Sequence, residues 1–179
     1  DICAKSESEM RAIRGDRVAM IFQEPMTALN PQKTVGWQID EVLRLHTDLD
    51  RKARRARAVE ILGDVHIPDP ASAYNAYPHQ ISGGQRQRVM IAMALVLNPR
   101  LILADEPTTA LDVTTQKQIL HLIKEMQRQH GTGILFITHD FGVVAEIADR
   151  IAVLRLGELV ESGPAAQILN HPRHPYTQA

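Results

Sequence analysis

One stretch of the chain, residues 77–112, constrains the fold more than any other. Its first half places Ser82, Gly83 and Gly84 before a run of apolar helix formers, residues 89–97. A serine before a helix can cap it, and glycines let backbone N–H groups come close to an anion. The helix dipole adds partial positive charge at the same place. This half therefore predicts a helix start that contacts phosphate.

The second half of the stretch predicts a buried strand that ends in two carboxylates. Residues 101–104 are all apolar, and Asp105 and Glu106 follow them directly. Continuous apolar runs are typical of parallel strands that are covered on both faces. In such sheets ligands bind at the carboxyl ends of the strands, where Asp105 and Glu106 are expected.

Two further apolar runs also end in polar residues. Residues 18–22 predict a strand that ends at Gln23, and residues 134–138 predict a strand that is followed by His139. An amide oxygen can accept a hydrogen bond from water or bind a hard cation. Taken alone, each residue is better explained as a structural strand-end residue, because short motifs often match by chance.

Several motifs occur in order and at matching spacing, which makes them far more specific than any one alone. Residues 82–85, Ser-Gly-Gly-Gln, resemble the signature motif of ATP-binding-cassette (ABC) ATPases. Residues 101–106 resemble their Walker B strand, and residues 110–112, Ala-Leu-Asp, resemble their D-loop. The resemblance covers essentially the whole chain.

Within that family, the chain is most similar to the ATPase subunits of oligopeptide, dipeptide and nickel importers. The similarity rests on residues 21–31, Ile-Phe-Gln-Glu-Pro-Met-Thr-Ala-Leu-Asn-Pro, and on residues 171–177, His-Pro-Arg-His-Pro-Tyr-Thr. The implied fold class is α/β: a partial P-loop NTPase (RecA-like) core with a mostly parallel sheet, plus an inserted helical subdomain. The implied division is a core part with the Q-loop (1–34), a helical subdomain ending in the signature (35–92) and a second core part (93–179).

The resemblance also implies ATP and Mg²⁺ as cofactors and a role for each motif residue. Glu106 acts as general base, and both Asp105 and Gln23 hold the magnesium ion. Gln23 also positions the attacking water, and His139 contacts the γ-phosphate. In a dimer, ATP held by one subunit contacts the signature residues of the other, which here are Ser82, Gly83, Gly84 and Gln85. Asp112 communicates between the two ATP sites of that dimer.

The partners implied by the resemblance are integral membrane permease subunits, a second ABC ATPase subunit and, indirectly, a solute-binding protein. The expected location is peripheral, at the cytoplasmic face of the cell (inner) membrane. The single cysteine, Cys3, excludes an intrachain disulfide and fits a reducing compartment. A formal net charge of −1 gives no reason to expect a nucleic-acid partner. We interpret the basic run 51–57 as a solvated helix face.

Several other polar residues receive no site role. His79 follows Tyr77 by two residues and is expected to have a local packing or hydrogen-bonding role. Arg86 and Arg88 could neutralise phosphate but are equally well explained as exposed residues of the first helical turn. His171 and His174 have a spacing that metal ligands use, but no further ligands complete a zinc site in the sequence.

No Gly-x-x-x-x-Gly-Lys-[Ser/Thr] occurs in the 179 residues. That loop cradles phosphates in P-loop NTPases, and in the resembled family it lies upstream of the Q-loop. We therefore expect a truncated ATPase with exposed apolar surface, an open strand edge and little nucleotide affinity of its own.

Two rival functions remain open from the sequence. One is a non-catalytic interaction fragment or inert remnant, favoured by the missing loop. The other is a soluble ABC ATPase that acts on nucleic acid or the ribosome, which salt-dependent nucleic-acid binding would favour. The importer-like stretch 21–31 argues against the latter.

Overall fold

The computed structural model describes residues 2, 4–24, 28–109 and 111–178. Cys3, residues 25–27 of the importer-like stretch and Ala110 of the D-loop lie outside them. The chain forms two compact units, residues 1–137 and 138–179. The sequence-based limits at 34/35 and 92/93 remain predictions.

The first unit contains helices and a three-stranded sheet. Its helices are α1 (Glu7–Ile13), α2 (Val35–His46), α3 (Arg51–Asp64), α4 (Pro70–Asn75), α5 (Gly83–Leu95) and α6 (Val113–His130). A single 3₁₀ turn, Pro78–Gln80, precedes α5. Its strands are β1 (Val18–Ile21), β2 (Leu101–Asp105) and β3 (Gly133–Ile137).

Side-chain caps fix where the helices of this unit begin. The hydroxyl of Ser82 accepts from the N–H of Gln85, and the side chain of Gln85 accepts from the N–H of Ser82. Such a reciprocal capping box satisfies two of the free N–H groups at a helix start. Asp112 caps α6 by accepting from the N–H groups of Thr114 and Thr115. The expected cap of α5 is therefore confirmed, and Asp112 provides the corresponding cap of α6.

The three strands are parallel, in the order β1–β2–β3. The α/β fold with a parallel sheet is therefore confirmed. Ile102 and Ala104 of β2 are buried, and both line the same small interior cavity as Ile91 of α5 and Ile123 of α6. Helices α5 and α6 thus bury one face of the sheet and hold the carboxyl ends of its strands in place.

The other face of this sheet carries an apolar row. Met20, Leu103 and Leu135 are paired in register across the three strands, so their side chains share one face. Met20 is 40% exposed and Leu135 is 55% exposed. The expected exposed apolar surface is therefore present among the described residues.

The basic run behaves only partly as expected. Arg51 and Lys52 are exposed, as a solvated face requires. Arg54 instead forms an ion pair with Asp40 at 2.7 Å, and Arg57 donates to the backbone oxygen of Val96. The expectation of a solvated face is therefore wrong for these two arginines, which join α3 to neighbouring segments.

The second unit consists of a helix, a hairpin and two short helices. They are α7 (Phe141–Ile147), β4 (Arg150–Arg155), β5 (Glu158–Pro164), α8 (Ala165–Asn170) and α9 (Pro175–Gln178). Strands β4 and β5 are antiparallel. Pro164 is the residue directly before α8. Across the described part of the chain, no helix has both the length and the apolar character needed to cross a bilayer.

Candidate functional site

Gln23 and Glu106 meet at the carboxyl ends of β1 and β2. The amide nitrogen of Gln23 donates to Oε2 of Glu106 at 3.1 Å. The hydroxyl of Thr109 donates to the same oxygen at 2.9 Å. Because the bond uses the amide nitrogen of Gln23, its amide oxygen is the group that can face water or a hard cation.

The backbone of Glu106 is also constrained. Its φ is 44°, in the left-handed region, where a side chain with a Cβ is strained. Its N–H donates to the backbone oxygen of Ile137 at 2.9 Å, which extends the hydrogen bonding between β2 and β3 by one residue. The carboxylate is therefore held from both its backbone and its side chain.

Asp105 supplies a second carboxylate beside Glu106. It is the last residue of β2, is half-buried and pairs in register with Ile137. The described residues contain no cluster of three or more His, Cys, Asp or Glu side chains able to hold a metal ion. Mg²⁺ does not require one, because one or two carboxylates with substrate phosphates and water complete its coordination. Asp105 and Gln23 thus fit a Mg²⁺ ion that arrives with a phosphate ligand.

The signature residues and the D-loop aspartate line a single open cleft of about 720 Å³. The starts of α5 and α6 both open into it. Residues lining the cleft include Ser82, Gly83, Gly84, Gln85, Asp112 and Thr115. At the start of α5, the capping box uses the N–H groups of Ser82 and Gln85 and leaves those of Gly83 and Gly84 outside it. Together with the helix dipole, these N–H groups make the α5 side of the cleft suitable for an anion.

The two signature glycines differ in their surroundings. A Cβ added at Gly83 would have no heavy atom within 4 Å, so this glycine leaves the cleft open. A Cβ added at Gly84 would lie 3.0 Å from the methyl carbon of Thr115. Gly83 therefore keeps space for a ligand, whereas Gly84 lets α6 approach α5 closely.

Arg88 lines the same cleft, although the sequence analysis gave it no site role. Its guanidinium donates to the backbone oxygen of Val65 at 2.9 Å. Burial lowers the pKa of Arg88, but its ordinary value is high enough that the charge remains. A helical signal was available, because Arg88 follows Gly84 by four residues and so shares its face.

Asp112 is held in its ionised form. Its carboxylate accepts from the hydroxyl of Thr115 at 2.7 Å and from the N–H of Thr115 at 3.0 Å. The hydroxyl bond and then this backbone bond are the main causes that lower the pKa of Asp112. Its negative charge also suits the start of α6, because the helix dipole is positive there.

His139 belongs to the second unit. It is exposed, follows the end of β3 by two residues and directly precedes Asp140, which caps α7. Its place beside the γ-phosphate therefore remains a prediction. The structure does confirm that Tyr77 and His79 stack, with ring centroids 5.6 Å apart, as a local packing role requires.

Comparison with known proteins agrees with these features. The model of the family described as "ABC transporter" matches residues 3–109. The oligopeptide transport ATP-binding protein OppD of Bacillus subtilis (strain 168) is 55% identical over 177 residues, covering 99% of this chain and 49% of that protein. The glutathione import ATP-binding protein GsiA of Escherichia coli O1:K1 / APEC is 55% identical over 179 residues, covering 100% of this chain and 29% of that protein.

Solved structures give the same result for the fold. The ATP-binding cassette MJ0796, in a dimeric post-hydrolysis state bound to ADP and Pi, superposes with a TM-score of 0.77 at 34% identity. That match covers 90% of this chain and 68% of the other. The structure of cbiO1 from Clostridium perfringens, part of the ABC transporter complex cbiONQ, gives a TM-score of 0.77 at 26% identity, covering 92% and 62%.

The fold is therefore that of the ATP-binding cassettes, a class of P-loop NTPase fold. The chain belongs to the ABC transporter family, since the family match covers more than half of its residues. It spans about half the length of the oligopeptide transport relative. Proteins of this family generally bind and hydrolyse ATP, typically with Mg²⁺.

Proposed function

We propose that the chain acts as the ATP-binding and ATP-hydrolysing subunit of an importer for peptides or a related small solute. The observation that carries the proposal is the bond between Gln23 and Glu106 at the carboxyl ends of parallel strands. The solute class is supported by the names of relatives that are 55% identical, in oligopeptide and glutathione import.

At the strand ends, each polar residue has a distinct role. Glu106 takes a proton from the attacking water, and Gln23 orients that water. Asp105 and Gln23 hold Mg²⁺, which when bound supplies positive charge to the phosphate oxygens. His139 stabilises the γ-phosphate. Phosphoryl transfer depends on positioning and charge neutralisation, which these residue types provide.

In the cleft, the start of α5 binds the γ-phosphate of ATP held by a second ATPase subunit. Gly83 and Gly84 contribute through their backbone N–H groups and Ser82 through its hydroxyl, while Gln85 contributes by forming the capping box that orders this helix start. Asp112, at the start of α6, communicates between the two ATP sites of the dimer. The partly buried positive charge of Arg88, which lines the cleft, favours the binding of an anion there.

The proposed partners follow from this function. They are integral membrane permease subunits, a second ATPase subunit that is homologous or identical, and indirectly a solute-binding protein. The proposed location is the cytoplasmic face of the cell (inner) membrane.

ATP turnover tests the proposal in two settings. In the first, the purified chain is assayed with Mg²⁺ and ATP beside a Glu106→Gln variant. In the second, the chain is mixed with a full-length relative whose own signature motif is inactivated, so that the mixed dimer alone pairs a phosphate loop with a working signature. The matched control in the mixture is a Ser82→Ala variant of this chain.

Because the 179 residues contain no Gly-x-x-x-x-Gly-Lys sequence, we expect turnover in the mixture and little in the chain alone. Loss of turnover by about 100-fold in the Ser82→Ala mixture would support the signature role, since removing one donor to developing charge costs about that much. Turnover by the chain alone that Glu106→Gln abolishes would support Glu106 as base. No turnover in either setting, despite dimer formation, would overturn the proposal.

A further inference from the structure

A buried amide connects the start of α5 to the turn that carries Glu106. Gln87 is only 1% exposed, and its amide nitrogen donates to the backbone oxygen of Pro107. Pro107 follows Glu106 directly and is itself buried. The bond joins residues that are 20 apart in sequence and lie on different elements.

The orientation of this amide is fixed by its partner. The backbone oxygen of Pro107 can only accept a hydrogen bond, so the nitrogen of Gln87 must face it. The amide oxygen of Gln87 is then buried without a hydrogen-bond partner among the described residues. An unpaired buried acceptor costs about 1–3 kcal/mol, and an apolar side chain of the same shape would only transfer this cost to the backbone oxygen of Pro107. The amide is therefore better explained by the connection it makes than by packing.

Both ends of the connection carry site residues. Gln87 lies on the same helix as Ser82 and Gly83, within the first turns of α5. At the other end, Glu106 has a strained φ of 44° and accepts from Gln23. A rigid helix and one hydrogen bond thus join the phosphate-binding start of α5 to the backbone beside the carboxylate.

We propose that Gln87 is a positioning residue that couples the start of α5 to the Glu106 turn. The inference rests on the proposed function for its meaning, because the turn matters through the carboxylate it carries. When the start of α5 engages a phosphate, Gln87 holds residues 106–109 in the arrangement that places the carboxylate of Glu106.

Amide hydrogen exchange of the chain without nucleotide tests this coupling. The reporters are the N–H groups of Glu106, Thr109 and Leu111, which donate to the backbone oxygens of Ile137, Glu106 and Thr108. In Gln87→Met, which keeps the shape but removes the donor, we expect their protection to fall about tenfold, the effect of losing one buried hydrogen bond.

The matched control is Gln38→Met. Gln38 is a buried amide in α2, 5% exposed, which donates to the backbone oxygen of Asn30 and accepts from its N–H. This variant should loosen the backbone around Asn30 and leave the N–H groups of Glu106, Thr109 and Leu111 protected. The comparison separates a local connection from a general loss of stability.

A second variant, Gln87→Glu, gives a readout that simple packing does not predict. Its ionised carboxylate cannot donate to Pro107, whereas its neutral form has an O–H that can. We expect the protection of the three reporter N–H groups to return towards the unsubstituted level as the pH falls. Gln87→Met should show no such recovery.

Unchanged protection of the three reporter N–H groups in Gln87→Met would overturn the inference. So would equal loss across the whole first unit, or a Gln87→Glu variant that matches Gln87→Met at every pH. Because exchange needs no turnover, these results decide on Gln87 separately from the ATPase assay. A chain that lacks turnover but shows the exchange pattern would refute the proposed function while retaining the coupling.

Discussion

The amide of Gln23 donates to the carboxylate of Glu106 at 3.1 Å, although the two residues are 83 positions apart. Parallel pairing of β1 with β2 brings them together, because Ile21 lies opposite Ala104 and both polar residues follow just beyond. The register of the sheet thus produces the contact. Because both residues lie beyond the strand ends, either side chain can be replaced without altering the strands.

Replacing Gln23 with Glu should change how the pair takes up protons. Two carboxylates at this distance repel each other, so the first proton should bind at a pH about one unit higher than for an isolated carboxylate. Carboxyl carbon NMR titration of the variant measures this. Gln32→Glu adds the same charge at an exposed position and should show no such upward shift. Matching titrations of the two variants would contradict the observed geometry.

The backbone strain at Glu106 predicts an unusual order of stabilities. Its φ of 44° favours glycine, so Glu106→Gly should be more stable than Glu106→Ala by about 1 kcal/mol. Urea unfolding measures the difference. At Lys117, an exposed position inside α6, the order should reverse, because alanine is the better helix former by about 1 kcal/mol. If alanine were more stable than glycine at both positions, the backbone of Glu106 would carry no strain.

Local sequence signals account for most of the fold and part of the site. The cap of α5 was predictable because Ser82 and Gln85 have capping-box spacing, and the end of β2 because an apolar run meets Asp105. Such signals depend only on residues a few positions apart. They fix where elements begin and end, and so they place residues at the same edge of the sheet.

The contacts that the sequence did not predict depend on distant residues. Arg54 meets Asp40 across 14 positions, and Gln87 meets Pro107 across 20. A charge run or an amide within a helix gives no sign of such a partner. The left-handed backbone of Glu106 was also unpredictable, because glutamate is not a residue type that favours it.

The signature glycines should respond differently to alanine. Gly83→Ala should leave stability unchanged or raise it by up to about 1 kcal/mol, because its Cβ meets open space and alanine favours the helix. Gly84→Ala should be about 1 kcal/mol less stable than Gly83→Ala, because its Cβ presses on the methyl group of Thr115. Urea unfolding of both variants provides the comparison.

A double variant provides the control for this steric argument. Thr115→Ser removes the methyl group and keeps the hydroxyl that donates to Asp112. Added to Gly84→Ala, it should recover most of the lost stability, whereas added to Gly83→Ala it should recover nothing. Failure to recover the Gly84→Ala loss would mean that contact with Thr115 is not its cause.

The lowered pKa of Asp112 predicts how the stability of the α6 cap changes with pH. Hydrogen bonds from the hydroxyl and then the N–H of Thr115 favour the ionised carboxylate in the folded chain. A carboxyl whose pKa is lower in the folded state stabilises the fold above its unfolded pKa, and this contribution is lost as the pH falls through the folded pKa. The stability gap between the unsubstituted chain and Asp112→Asn should therefore be full near neutral pH and shrink as the pH falls below the ordinary pKa of an aspartate. Urea unfolding between neutral pH and about pH 3 measures the gap, with Asp48→Asn, at an exposed position, as the control for net charge. A gap that stays constant over this range would show that the carboxylate charge of Asp112 contributes nothing to the cap.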